Sequence, residues 1–319
     1  MGSSTSWSAI SRRRRRPAII CMHDVLDRDW LRDFLQELSR RAEVVSLREV
    51  VDGYASTSDS HPRVAVTLDD GYKSIRTVVE PACSELGVPF TTFVCGEVLT
   101  GGPALWYDRV ELLLRKLGPQ RAAGYWGLRG SSDRQLISAL KEAPTRMLLQ
   151  GLSNAEADAS IDSAPLRSRF MSAEDLAVLA RNPLVTIGSH TYSHPILSKL
   201  DVAERRLEVQ RGVDVLRDVC PSPIEFFAYP NGKPEDFDDE VIAALRSAGL
   251  RAAVTTVQRP LLPSDDLMRL PRLGVSEGDS IGKLEAKWSF PWLSVGDLRE
   301  KAWRRMYRGS WREGRGQPA

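Results

Sequence analysis

The chain of 319 residues has room for one large core or two smaller ones. Apolar residues at 42% and charged residues at 27% give a globular composition, and a net charge of only +2 excludes a global electrostatic case for nucleic acid. No run approaches the roughly 20 apolar residues of a membrane span.

Residues 1–16 are Ser-rich and then Arg-rich, which predicts a disordered basic leader. The run Arg12–Arg16 reads as a solvated tail, with weak attraction to anionic lipid headgroups as the alternative. Ala18–Met22 is a short buried strand, far too short for a secretory signal. Asp29–Arg40 has helical spacing, Glu43–Val45 is a brief strand and Leu47–Tyr54 a short helix. Val64–Leu68 is a strong strand ended by Asp-Asp-Gly, and Ser74–Leu86 is a helix that Pro81 kinks or divides. Phe90–Val94 is the next strand. Residues 104–165 break this rhythm and read as a helical insertion. Alternation then resumes with a helix capped by Ser172, a strand at Leu184–Ile187, a helix at Val202–Val219, a strand at Glu225–Tyr229, a helix at Pro234–Ala248 and a strand at Ala252–Thr255.

About seven apolar strands alternating with helices imply an α/β fold with a helix-covered parallel sheet. Polar residues follow the strands, at His23-Asp24, Asp69-Asp70, His190 and Asn231. Functional residues of β/α barrels sit at that strand end, so a distorted (β/α) barrel over residues 17–285 fits better than an open sheet. Residues 286–319 form a basic extension with Trp288, Trp292, Trp303, Tyr307 and Trp311, which packs on the barrel or lies on a membrane surface. Cys21, Cys83, Cys95 and Cys220 match no metal or redox spacing. They read as reduced thiols, and the expected compartment is the cytoplasm, with the basic ends facing the inner membrane.

Chemistry concentrates in two motifs. In Thr67-Leu68-Asp69-Asp70-Gly71-Tyr72, two adjacent carboxylates converge only if the chain turns as the strand ends, which Gly71 permits. Paired carboxylates suit metal binding combined with proton transfer, although Asp-Gly is also an ordinary turn. In Gly188–Pro195, His190 and His194 stand four apart and can face one way on a helical turn. The chain has only four histidines, and two histidines with one carboxylate make a metal set with open positions. His23 should share that rim and suits a general acid, or is a core-edge histidine bonded to Asp24. His61 has no assigned role.

These residues resemble the polysaccharide deacetylase family of carbohydrate esterases. Thr67–Gly71 is similar to its Thr-Phe-Asp-Asp-Gly motif, and His190–His194 to its His-Ser/Thr-x-x-His motif. The resemblance implies Asp69 as catalytic base, and Asp70, His190 and His194 as ligands of a divalent metal, usually Zn2+. The family's Arg-x-Pro-Tyr-Gly motif is met by Ala228-Tyr229-Pro230-Asn231-Gly232, with Ala228 for the arginine and Asn231 for the tyrosine. The backbone N–H of Asn231 can still serve an oxyanion. The arginine that orients the base is lost, so another residue must hold Asp69 or the base is held less firmly. The family's C-terminal Leu-x-His-Asp acid motif has no downstream match, but Ile20–Asp24 resembles it. Circularly permuted exopolysaccharide deacetylases look similar, and the first and last strands of a closed barrel are neighbours, so the acid role falls to His23. Tyr229 lies in the oxyanion loop, and Trp106, Tyr107 and Asp108 of the insertion either bind a sugar ring or pack inward.

The resulting expectation is hydrolysis of an N-acetyl or other small N-acyl group on an amino sugar, in a polymer, an oligosaccharide or a lipid-linked glycan. The rivals are a non-sugar amide hydrolase on the same fold and a catalytically inactive carbohydrate-binding protein. A nucleic-acid partner is not expected.

Overall fold

Ala18–Met22 forms β1, with all five side chains buried. Such strands suit a sheet covered on both faces, where each fully buried Val, Leu or Ile contributes about 1.5–3 kcal/mol. The computed structural model describes residues 16–53, 62–129 and 132–289. The leader before Arg16, His61, and Trp292, Trp303, Tyr307 and Trp311 of the extension lie outside them.

The further strands are β2 (Glu43–Val45), β3 (Arg63–Leu68), β4 (Phe90–Val94), β5 (Val185–Ser189), β6 (Phe226–Ala228), β7 (Ala252–Val254) and β8 (Leu273–Gly274). Neighbours run β7-β6-β5-β4-β3-β1-β8, and every pairing is parallel. The short β2 pairs with the first half of β3, whose second half pairs with β4. Helices α1 (Arg28–Ser39), α2 (Leu47–Asp52), α3 (Glu80–Leu86) and α4 (Gly96–Leu99) fall among the first strands. Then come α5 (Trp106–Leu117), α6 (Pro119–Gly124), α7 (Asp133–Glu142), α8 (Thr145–Asp158) and α9 (Ala173–Leu179). The remaining helices are α10 (Val202–Val219), α11 (Asp239–Ser247) and α12 (Ile281–Ser289).

Sequence sets these boundaries. Asp27 caps α1 by accepting from the N–H of Trp30, and the helix buries Leu31, Phe34, Leu35 and Leu38. Asp201 and Glu204 form a reciprocal capping box on α10. The segment expected as a helix from Ser74, kinked or divided at Pro81, is a π-helical turn, Ile75–Val79, running into α3. Pro81 sits in the first turn of α3, where its missing N–H costs nothing. The helix expected from Pro234 divides into a 3-10 turn at Pro234–Asp236 and α11, which starts afresh from the Asp238 cap. Helices α5–α8 bury an apolar cluster of their own, including Val110, Leu113, Leu136, Leu140 and Leu152.

The expected neighbourhood of first and last strands is present, since Ile20 pairs with Leu273 and Cys21 with Gly274. Full closure is not. Strand β7 meets the returning chain only at a bridge between Val254 and Leu270, so the sheet is a half-barrel. The next N–H on that side, that of Arg272, passes Thr255 and donates to the carbonyl of Val257, and the chain moves across to β1. Among the described residues no helix is long and apolar enough to cross a membrane.

Candidate active site

Register brings the first pair together. Met22 lies opposite Leu68 in the parallel β1–β3 ladder, so His23 and Asp69 leave the sheet at the same level. The Asp69 N–H donates to the carbonyl of Met22 at 3.1 Å. His23 Nε2 stands 3.9 Å from Asp69 Oδ2, with the imidazole 45% exposed on the rim. Asp24 turns away from His23. It accepts from Ser74 Oγ at 2.6 Å and from Arg169 Nη2 at 3.2 Å.

After β3 the backbone turns sharply. Asp70 takes φ +75° and Gly71 φ +78°, so the left-handed turn begins one residue earlier than glycine alone would require. A Cβ on Gly71 would also meet Val94 Cγ1 at 2.8 Å. This turn lets neighbouring carboxylates serve one site. Asp70 Oδ1 lies 3.4 Å from His190 Nε2 and 3.4 Å from His194 Nε2.

The two histidines do not ride a helical turn as their spacing suggested. The chain leaves β5 in a loop in which Thr191 (φ +66°) and His194 (φ +61°) are left-handed. The His194 N–H closes that loop on Thr191 Oγ1 at 2.9 Å, and the two imidazoles meet edge-on with centroids 4.7 Å apart. Glu208 of α10 clamps the loop from outside. Its carboxylate accepts from the N–H groups of Tyr192 and Ser193 and from Ser193 Oγ. Gly212 of α10 lets the helix approach, because a Cβ there would stand 2.6 Å from the Thr191 carbonyl carbon.

The donors fit a divalent cation. His190 Nδ1 lies 2.7 Å from the carbonyl of Ala228 and donates to it, which aims Nε2 at Asp70; an incoming cation would take the place of the proton that Nε2 shares with that carboxylate. Burial, assisted by neighbouring His190, pushes the His194 pKa down to about 3, so this ring is neutral. Burial works against the Asp70 carboxylate, but the His190 hydrogen bond and the nearby imidazoles outweigh it and hold Asp70 well below the usual carboxylate range. The three donor atoms are buried and lie within 4.8 Å of one another. Two imidazole nitrogens and one carboxylate leave coordination positions open.

Asp69 has a different environment. Arg272, just before β8 and 0% exposed, grips both its oxygens at 2.7 Å. The guanidinium also donates to the carbonyl of Thr255 and to Thr67 Oγ1. Burial would raise the Asp69 pKa, but the charge and hydrogen bonds of Arg272 prevail and lower it. Asp69 is therefore an oriented carboxylate without a role among the three metal-facing donors. An arginine thus holds Asp69 after all, reaching it from the segment just before β8 and not from the Ala228 position.

The remaining expected site residues divide. Asn231 is left-handed (φ +59°). Its Nδ2 donates to Asp236 at 2.7 Å, and its Oδ1 accepts from Lys141 Nζ at 2.8 Å. Tyr107 presents its ring edge to His194, 5.1 Å between centroids. Three residues do not offer a free surface for a sugar. Tyr229 is buried, stacked on Phe237, with its hydroxyl donated to Met268 O. Trp106 is buried and donates its indole N–H to the carbonyl of His194, bracing the loop. Asp108 is buried, ion-paired with Arg169 and bonded to the Tyr72 hydroxyl. In each case the aromatic or charged group finds its partner inside the protein. Arg272 and Lys141 escaped the sequence reading. For Arg272 a signal existed: one charge within the apolar run Leu270–Val275.

A half-barrel with an Asp-His-His cluster and an arginine-held carboxylate at its strand ends defines a hydrolase of the β/α class. The family model for polysaccharide deacetylases matches residues 56–253. The chain belongs to the polysaccharide deacetylase family, and is a hydrolase of carbon–nitrogen bonds that deacetylates a polysaccharide. Among solved structures it is similar to the deacetylase PplD of Streptococcus pyogenes in complex with acetate (14% identity, TM-score 0.56, covering 86% of this chain and 98% of that one). It is also similar to IcaB from Ammonifex degensii (19%, TM-score 0.55, 86% and 97%). The deacetylase domain of BpsB from Bordetella bronchiseptica shares the fold as well (18%, TM-score 0.54, 81% and 95%). No curated protein matches the chain by sequence.

Proposed function

We propose that the enzyme hydrolyses the N-acetyl group of an amino sugar within a glycan, with Asp69 as base, His23 as acid, and Asp70, His190 and His194 holding a divalent cation, zinc by their donor chemistry. The observation that carries the reading is the separation of the two aspartates: Asp70 faces two imidazoles, whereas Asp69 is held by Arg272 and faces His23. A bound cation supplies Lewis acidity, acidifying water and polarising an acyl carbonyl.

The protein's own groups do the rest. The lowered pKa of Asp69 keeps it ionised, ready to take a proton from attacking water, and Arg272 fixes the direction of its lone pairs. The N–H of Asn231 stabilises the oxyanion, on a peptide that Lys141 and Asp236 anchor through the side chain. His23, on the exposed rim, delivers a proton to the leaving amine nitrogen. The exposed side of the site suits a substrate that is part of a longer chain.

Asp69→Asn tests this directly. The variant should retain its metal on elemental analysis and release acetate from N-acetylglucosamine oligomers at least about a hundredfold more slowly. Turnover at the unmodified rate would remove Asp69 from the mechanism. Acetate release from simple amides but not from sugars would remove the substrate class.

A further inference from the structure

A second group of potential ligands stands beside the first. Cys21 Sγ donates to Asp69 Oδ2 at 3.4 Å, and His23 Nε2 lies 3.9 Å from the same oxygen. One atom from each of these residues lies within 4.8 Å of the others. Tetrahedral coordination by sulfur, nitrogen and oxygen places ligand atoms roughly 3.4–3.8 Å apart, from bond lengths of about 2.0–2.3 Å. Register produces the arrangement: Cys21 and His23 are two apart at the end of β1, on the same side of the chain, and Asp69 ends the strand paired with it.

We propose that Cys21, His23 and Asp69 form a second cation site, selective for a soft divalent ion such as cadmium or excess zinc, which arrests the enzyme by occupying its base and its acid together. The cation takes the position of the thiol proton between Cys21 and Asp69, and binding expels that proton. Thiolate and imidazole ligands favour cadmium and zinc over magnesium or calcium. The half-exposed imidazole provides the entry path, and Arg272 keeps its two bonds to Asp69 because each carboxylate oxygen has a second lone pair. Arrest rests on the base and acid roles proposed above, whereas binding rests on geometry alone.

The test is a cadmium titration of the full chain, followed by ultraviolet thiolate-to-cadmium absorption and by acetate release. The unmodified protein should bind two equivalents, one of them giving the thiolate band. Cys21→Ser should lose the band and keep one equivalent, and Cys83→Ser should keep both. His194→Ala should lose the other equivalent and keep the band. His23→Gln, altered on the exposed rim, should weaken the band-forming site about tenfold or more. Relative to each protein's own uninhibited rate, the inhibitory cadmium concentration should rise about tenfold or more in Cys21→Ser. No band, or an unchanged band in Cys21→Ser, overturns the site. A band lost in Cys21→Ser with inhibition unmoved overturns the arrest and counts against the base and acid roles, leaving the site itself standing.

Discussion

Replacing Arg272 by Met should damage both stability and catalysis, because it strands a buried carboxylate. Arg272 is 0% exposed and makes two bonds of 2.7 Å to Asp69. Removing one partner of such a pair costs about 3–5 kcal/mol. For a chain of this size that lowers Tm by about 4–8 °C. The pH dependence has a definite sign. In the native protein the Asp69 pKa is lowered, so its contribution to stability is present above the unfolded carboxylate value of about 3.9 and is lost as pH falls through the folded value. Without Arg272 only burial and weaker neighbours remain, and the folded pKa moves above the unfolded one. The stability gap between the two proteins should therefore be widest at neutral pH and close as pH falls and Asp69 protonates in the variant. Denaturant unfolding from pH 4 to pH 8 measures the gap, and the acidic limb of kcat/KM, moving to higher pH, reports the base. Asp69→Asn combined with Arg272→Met should be less destabilised than the sum of the single changes. A gap under about 1 kcal/mol at pH 7 with an unmoved acidic limb would refute the coupling.

Three further outcomes are expected. Chelation should abolish acetate release, zinc should restore it, and zinc at a hundredfold its Kd should stabilise the chain by about 2.7 kcal/mol in calorimetry. Gly212→Ala should cost about 1–3 kcal/mol by overpacking α10 on Thr191, and should weaken metal binding in equilibrium dialysis because the displaced loop carries both histidines. Burial, with help from Lys233, pushes the Lys141 pKa down to about 8, so its charge fades as pH rises through that value. Lys141→Met should lower kcat on the order of ten- to a hundredfold at pH 7 by loosening Asn231, and should erase the part of the alkaline limb near pH 8.

What the sequence showed depended on how local the signal was. Strands β1, β3, β4 and β5 are apolar runs, and Asp69, Asp70 and His190 directly follow two of them, so strand and site could be read together. The spacing of His190 and His194 correctly suggested proximity, but it is a left-handed loop and not a helix that brings them together, and positive φ at Thr191 leaves no mark in the sequence. Arg272 stands out as a charge in an apolar run, but its partner was beyond local reading because Asp69 lies 203 residues away and β8 has only two residues. Trp106 resembled a sugar platform and Tyr229 a member of the oxyanion loop, and only packing shows that their polar tips are already bonded to His194 and Met268.

The order in which the pieces leave the ribosome matters for when the base is anchored. His23 emerges early and Asp69 soon after, but the guanidinium that clamps Asp69 arrives only with residue 272. Until then a nascent barrel that has already paired β1 with β3 must keep the Asp69 carboxylate hydrated or bear the cost of burying it unpaired. Late delivery of a single cation thus ties assembly of the centre to near-completion of the fold, and incomplete chains should lack the anchored base.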